Sequence, residues 1–153
     1  MFERFSTLAL ETIRFAREGA GELGHDYIGS EHLLLGLARQ DKGFAVRALQ
    51  SFGITPDRIL VQIEARSGRG SRMAPLSMSQ ADEAAKLSLR KAVALGRKYV
   101  GPEHILRGII CHEESMATEI IGTLGVDLAA LRETVLQLED PEAAGRRGEI
   151  VAG

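Results

Sequence analysis

The chain has 153 residues, 44% hydrophobic and 26% charged, with a formal net charge of -2. That is the composition of an ordinary globular domain, without the excess of positive charge that would draw it to nucleic acid or anionic lipid. No run approaches the ~18 apolar residues a membrane-spanning helix needs, and Met1-Phe2-Glu3-Arg4-Phe5 lacks a basic region followed by a long apolar core. A cytoplasmic protein is expected, with neither nucleic acid nor membrane as partner. The single cysteine, Cys111, cannot form an internal disulfide, and with no tryptophan the core has to be aliphatic.

In chain order, Phe5, Leu8, Ala9, Thr12, Ile13 and Ala16 recur at helical spacing and predict a first helix, which Gly24 ends in the left-handed conformation. Ser30 is expected as the N-cap of a second helix carrying Leu33, Leu34 and Leu37. Phe44, Ala45, Ala48, Leu49 and Phe52 form a third amphipathic stretch, stopped by Gly53. Thr55-Pro56 opens the fourth, because threonine accepts a first-turn amide while proline fills a position whose N–H has no partner; Ile59 and Ile63 then face inward.

Residues 66–72 are small, polar and basic, the composition of a mobile connector. The arginines there, Arg66, Arg69 and Arg72, have no interleaved aromatics and fit a solvated linker better than a nucleic-acid patch. The scheme then repeats, ending in a helix capped by Asp127 ahead of Leu128, Leu131, Val135 and Leu138. From Asp140 the chain has the composition of a flexible tail. No alternating strand pattern occurs, so the expected fold is all-α with about eight helices.

The chain says the same thing twice. The segment from Leu23 through Tyr27, Gly29, Ser30, Glu31 and His32 to Gly36 returns from Leu95 through Tyr99, Gly101, Pro102, Glu103 and His104 to Gly108, at an offset of 72. Ala9 with Ala81, Glu11 with Glu83, Ala20 with Ala92, Ala45 with Ala117 and Gly53 with Gly125 extend that register without a gap. The expected organisation is a tandem pseudo-twofold repeat of two four-helix units: residues 1–66, a linker at 67–76, residues 77–139, and a tail at 140–153.

The opening Met1-Phe2-Glu3-Arg4-Phe5, the two copies of Gly-x-Glu-His-(Leu/Ile)-Leu-x-Gly, and the turns at Gly53-Ile54 and Gly125-Val126 resemble the N-terminal domain of Clp-family unfoldases, closest to the ClpC branch. The resemblance covers residues 1–139 and implies a non-catalytic module that binds protein substrates, adaptor proteins or peptides, in association with a Clp ATPase or protease. Ser77, Asp82 and Lys86 depart from the ClpC pattern. None of Lys42, Lys86, Lys91 and Lys98 follows a glycine, so no phosphate-cradling loop of an ATPase motor is present. The chain is then either an excised recognition domain or a stand-alone relative, expected as a monomer in isolation. A decoy that sequesters ligands from full-length ClpC is the alternative, and a small hydrolase using Glu31 or His32 ranks last, for want of a nucleophile–base–oxyanion set.

Glu31 and Glu103 fall in the first turn of a helix, where each could simply complement the helix dipole. A carboxylate beside a free helix N-terminus also suits a zwitterion carrying a guanidinium and a phosphate. Some ClpC N-terminal domains recognise phosphoarginine-marked substrates, and the resemblance makes Glu31 and Glu103 the guanidinium partners with Ser30 as phosphate-side hydroxyl. Pro102 offers no hydroxyl, which makes the second site the weaker expectation. His32 and His104 complete the candidate ligand-binding set, although each is more simply a structural residue bonding backbone. They lack the further ligands a metal would want, and no metal or cofactor is expected. Phe2 and Phe5, with Leu8, are core or an apolar partner face. Cys111 and His112 cannot form a catalytic dyad from adjacent helical positions, so Cys111 is expected as a small apolar residue. Met73, Met78 and Met116 are expected to fill gaps in the core.

Overall fold

The computed structural model describes residues 1–138, which form eight α-helices and no strand. The first repeat comprises α1 (Thr7–Glu22), α2 (Ser30–Ala38), α3 (Phe44–Ser51) and α4 (Pro56–Ser67); the second comprises α5 (Glu83–Leu95), α6 (Pro102–Ile110), α7 (Met116–Thr123) and α8 (Leu128–Leu138). A single 3-10 turn, Met78–Gln80, precedes α5. The tail expected at 140–153 and the inward side chain expected of Leu138 lie outside what the structure describes.

Helix starts follow the capping residues. Ser6, Thr55, Asp82, Ser115 and Asp127 each accept a first-turn amide, from Ala9 at 3.1 Å, Arg58 at 3.4 Å, Ala85 at 2.9 Å, Thr118 at 3.2 Å and Ala129 at 3.1 Å. Gly24, Gly53 and Gly125 take φ of +68°, +73° and +83° at helix ends, where a Cβ would be strained. Ser30 does not cap α2. Gly29 does, and Ser30 is the first helical residue.

The two central helices carry the core. Every residue of α2 is buried, and in α6 all are buried except Arg107; a helix apolar all round belongs inside. Their neighbours approach closely through glycine. A Cβ on Gly36 would come within 2.5 Å of the Thr12 carbonyl and 3.0 Å of the Ala16 nitrogen; on Gly108 it would run into the Ser88 carbonyl and stand 3.3 Å from the Ala92 nitrogen. These glycines let α1 cross α2 and α5 cross α6 at backbone contact.

Those crossings correct the register. Thr12 corresponds to Ser88 and Ala16 to Ala92, a spacing of 76 rather than 72, and the caps Ser6 and Asp82 stand at the same spacing. The first helices therefore differ by four residues between this spacing and the one that aligns the Gly-x-Glu-His motifs. That is about one helical turn, which preserves the buried face. The pairs Ala9 with Ala81, Glu11 with Glu83 and Ala20 with Ala92 are matches of composition only.

The repeats also exchange their leading segments. Ser6 donates its N–H to the Val100 carbonyl at 2.9 Å and Val100 donates to that of Arg4 at 2.8 Å. Asp82 likewise donates to Ile28 at 2.8 Å and Ile28 to Gln80 at 3.0 Å. Each leader thus pairs with the loop ahead of the other repeat's central helix.

The segment expected as a mobile connector is tied down. Gly70 and Arg72 donate their N–H groups to Leu23 and Gly24 carbonyls at 2.8 and 3.1 Å. Arg66 reaches across to Glu119 and Thr123 on α7, and Arg69 to Glu64 and the Glu22 carbonyl. Two expectations of burial fail. Cys111, just past the end of α6, is exposed, and Met73 is 94% exposed; both sit where the chain has left a helix and no neighbouring helix covers it. Met78 and Met116 do pack against the core.

Candidate functional site

The repeated Gly-x-Glu-His motif builds the same structure at the N-termini of α2 and α6. In each, the histidine reaches back one turn so that its Nδ1 accepts the N-cap glycine N–H, Gly29 to His32 at 2.8 Å and Gly101 to His104 at 2.9 Å. The histidine N–H returns to the glycine carbonyl, at 3.1 and 3.0 Å. This is the return half of a capping box, with histidine in the place of glutamate and the glycine carbonyl in the place of an N-cap hydroxyl. The glutamate folds over the glycine: a Cβ on Gly29 or Gly101 would run into the carboxylate of Glu31 or Glu103 and oblige it to move.

The Glu31 carboxylate is held by the tyrosine four residues earlier, Tyr27 Oη donating to Glu31 Oε2 at 3.0 Å. Tyr99 recurs at the matching position in the second repeat, where burial and then Glu103 raise its pKa. Glu31 is 2% exposed and Glu103 7%. Burial raises the pKa of both above the usual carboxylate range, against the pull of backbone and tyrosine hydrogen bonds; for Glu31 the Asp82 carboxylate adds to the rise. Burial, reinforced by Glu31, pushes the Tyr27 phenol up to about 12. Glu103 Oε1 is buried and has no hydrogen-bond partner. His104 Nδ1 lies 3.6 Å from it but presents a lone pair already used by Gly101.

The remaining residues of the expected set fall as follows. Ser30 is fully buried, and its Oγ accepts the N–H of Ala117 on α7 at 3.3 Å; the hydroxyl joins the two repeats and faces no solvent. His32 is fully buried and its pKa is pushed down to about 3, first by burial and then by the neighbouring His25. His104 is shifted down by burial, then by Arg107 and Arg4. Phe5 belongs to the core at 8% exposed, while Phe2 is half-buried and packs edge-on against it at 4.9 Å. Among the described residues no three His, Cys, Asp or Glu side chains gather as a metal site would require, and no helix is long and apolar enough to cross a membrane.

Four residues escape a reading of the motif alone. Tyr27 and Tyr99 recur at the motif spacing, and that repetition was the available signal. Arg4 ties the leader of the first repeat to the end of α5 through the carbonyls of Val93, Gly96 and Arg97, at 2.9, 2.9 and 2.7 Å. His25 stacks on Tyr27 with ring centroids 5.5 Å apart. Neither Arg4 nor His25 has a sequence signal, since both depend on contacts between distant segments.

The model of the Clp repeat N-terminal domain matches twice, at residues 4–82 and 76–149. Among curated proteins, the negative regulator of genetic competence ClpC/MecB of Bacillus subtilis (strain 168) is 41% identical over 140 residues, covering 90% of this chain and 17% of its own length. The chaperone protein ClpB of Oceanobacillus iheyensis is 40% identical over 152 residues, covering 97% and 19%. The chain thus spans less than a fifth of these relatives. Among solved structures, the N-terminal domain of the chaperone ClpD from Arabidopsis thaliana superposes with a TM-score of 0.71 at 28% identity, covering 90% of this chain and 95% of that one. The Hsp104 N-terminal domain from Candida albicans shares the fold, with a TM-score of 0.69 at 17% identity over 90% and 93%.

Proposed function

The chain belongs to the Clp repeat N-terminal domain family, and from that premise we propose that it is a non-catalytic recognition module of the Clp protease system, binding protein substrates or adaptors, with phosphoarginine-tagged proteins as its ligand class. The observation that carries this reading is the buried, unpartnered Oε1 of Glu103 at the N-terminus of α6. A buried acceptor without a donor costs about 1–3 kcal/mol, more if charged, and a guanidinium supplies donors of the right charge and fork geometry. The positive end of the α6 dipole at the same helix terminus suits the phosphate. Since Ser30 spends its hydroxyl on Ala117, a proline in its place at Pro102 is no handicap, and the second repeat carries the larger share of binding.

Calorimetric titration with free phosphoarginine tests this. Saturable binding that is lost in Glu103→Gln, and reduced less by Glu31→Gln, supports the reading. No heat with the intact protein sinks the phosphoarginine assignment and leaves adaptor binding as the function to pursue.

A further inference from the structure

The hydrogen-bond roles around His32 are fixed by the backbone at both ends. Gly29 N–H must donate to His32 Nδ1 at 2.8 Å, so the proton of a neutral His32 is on Nε2. That Nε2 faces His25 Nδ1 at 2.9 Å, which must accept, leaving His25 Nε2–H to donate to the Gly68 carbonyl at 2.8 Å. One continuous chain of donors therefore runs from the cap of α2 through two neutral histidines to the connector between the repeats. The second repeat has no counterpart, since Arg97 stands where His25 stands in the first.

The connector does more than meet this chain. Beyond Gly68 it is stitched to the α1–α2 loop by Gly70 to Leu23 and Arg72 to Gly24, with Gly24 and Gly70 so close that a Cβ on either would run into the other's carbonyl. Ser67 faces the same cleft as Tyr27, the tyrosine that holds Glu31. A cleft of about 400 Å³ lies between the two segments, lined by Tyr27, Ser67, Arg69, Gly70 and Arg72 among others. We infer that residues 67–72 are a strap, latched against the Tyr27–Glu31 pair by the neutral histidines His25 and His32, and that opening the strap regulates access to Glu31. The latch stands on its own geometry; its effect on ligand access rests on the receptor function proposed above.

Two variants open the strap from opposite sides. His25→Phe keeps a ring on Tyr27 and removes both histidine hydrogen bonds, while Gly70→Ala drives a Cβ into the Gly24 carbonyl and leaves both histidines intact. Amide exchange by NMR at Gly70 and Arg72 should accelerate about tenfold or more in each variant, with Ile109 and Ile110 on α6 as the controls that report an intact fold. Added phosphoarginine should then shift the Gly29 and Glu31 resonances in the variants at concentrations that shift only Gly101 and Glu103 in the parent protein. Exchange at Gly70 and Arg72 that stays at parent rates in His25→Phe overturns the latch. An opened strap with unchanged response at Glu31 overturns the gating. No response in any form overturns the receptor reading, and the exchange arm still decides the latch.

Discussion

Ser6 and Asp82 occupy the same place in the two repeats: each caps the first helix of its own repeat and each donates its backbone N–H to the other repeat's motif loop, Ser6 to Val100 at 2.9 Å and Asp82 to Ile28 at 2.8 Å. The exchange means that neither four-helix unit completes its motif loop alone. It also puts Asp82, a residue of the second repeat, close enough to Glu31 of the first to raise its pKa.

Asp82→Ala removes the side chain that accepts from Ala85 at 2.9 Å while keeping the backbone bridge. A loss of about 1 kcal/mol is expected from the missing cap. Relief of the negative charge beside Glu31 acts the other way. Urea unfolding measures the sum, and the cap account fails if the variant is as stable as the parent at pH 3.5, where repulsion between the carboxylates has faded.

Gly108→Ala places a methyl group against the Ser88 carbonyl, a backbone atom that cannot rotate aside. The expected cost is about 3 kcal/mol, the upper range for an overpacked interior. Gly122→Ala, where a Cβ meets nothing within 4 Å, is the matched control in the neighbouring helix and should not destabilise. Equal thermal midpoints for the two would refute the close crossing of α5 and α6.

Acid should weaken the fold through its buried histidines. His32 titrates near 3 when folded and near 6.5 when unfolded, so its contribution is complete above about pH 6.5 and is lost as the pH falls towards 3. By pH 5 that loss is about 2 kcal/mol, and His104 is shifted in the same direction. The raised carboxyls Glu31 and Glu103 oppose it, because their contribution is present at low pH and lost as pH rises through their folded values. The doubly substituted Glu31→Gln, Glu103→Gln protein removes that opposition. Its unfolding free energy should fall more steeply from pH 7 to 5 than the parent's, and a flat profile would contradict the neutral histidines.

Glu103→Gln separates stability from binding. Burial disfavours the ionised carboxyl, so the neutral amide should leave the protein at least as stable at pH 7 while removing the charge proposed to pair with a guanidinium. A variant that unfolds more readily than the parent would assign Glu103 a structural role in place of a receptor one.

Much of the fold was legible because its causes are local. Capping residues, left-handed glycines and the apolar faces of the helices act between residues a turn or so apart; they marked the starts of α4 and α8 and the stops after α1 and α3, and missed the start of α2 by one residue. The register of the first helices was not legible. A four-residue difference keeps an amphipathic face in phase, so alanines and glutamates still matched at a spacing of 72, and only the contacts of Gly36 and Gly108 with the crossing helices fix it at 76. The repeated glutamates and histidines were visible as a motif, but their surroundings were not.

By itself, then, the sequence determined an all-helical tandem repeat with a doubled Gly-x-Glu-His motif. The tertiary structure decided that Ser30 is occupied by Ala117, that Glu103 keeps an unpartnered oxygen, and that His25 and His32 tie the connector to the first repeat. The reason is range: a cap or a periodic face depends on neighbours along one helix, whereas Ser30 finds its partner 87 residues away and His25 finds Gly68 43 residues away. Such pairs exist only once the chain has packed.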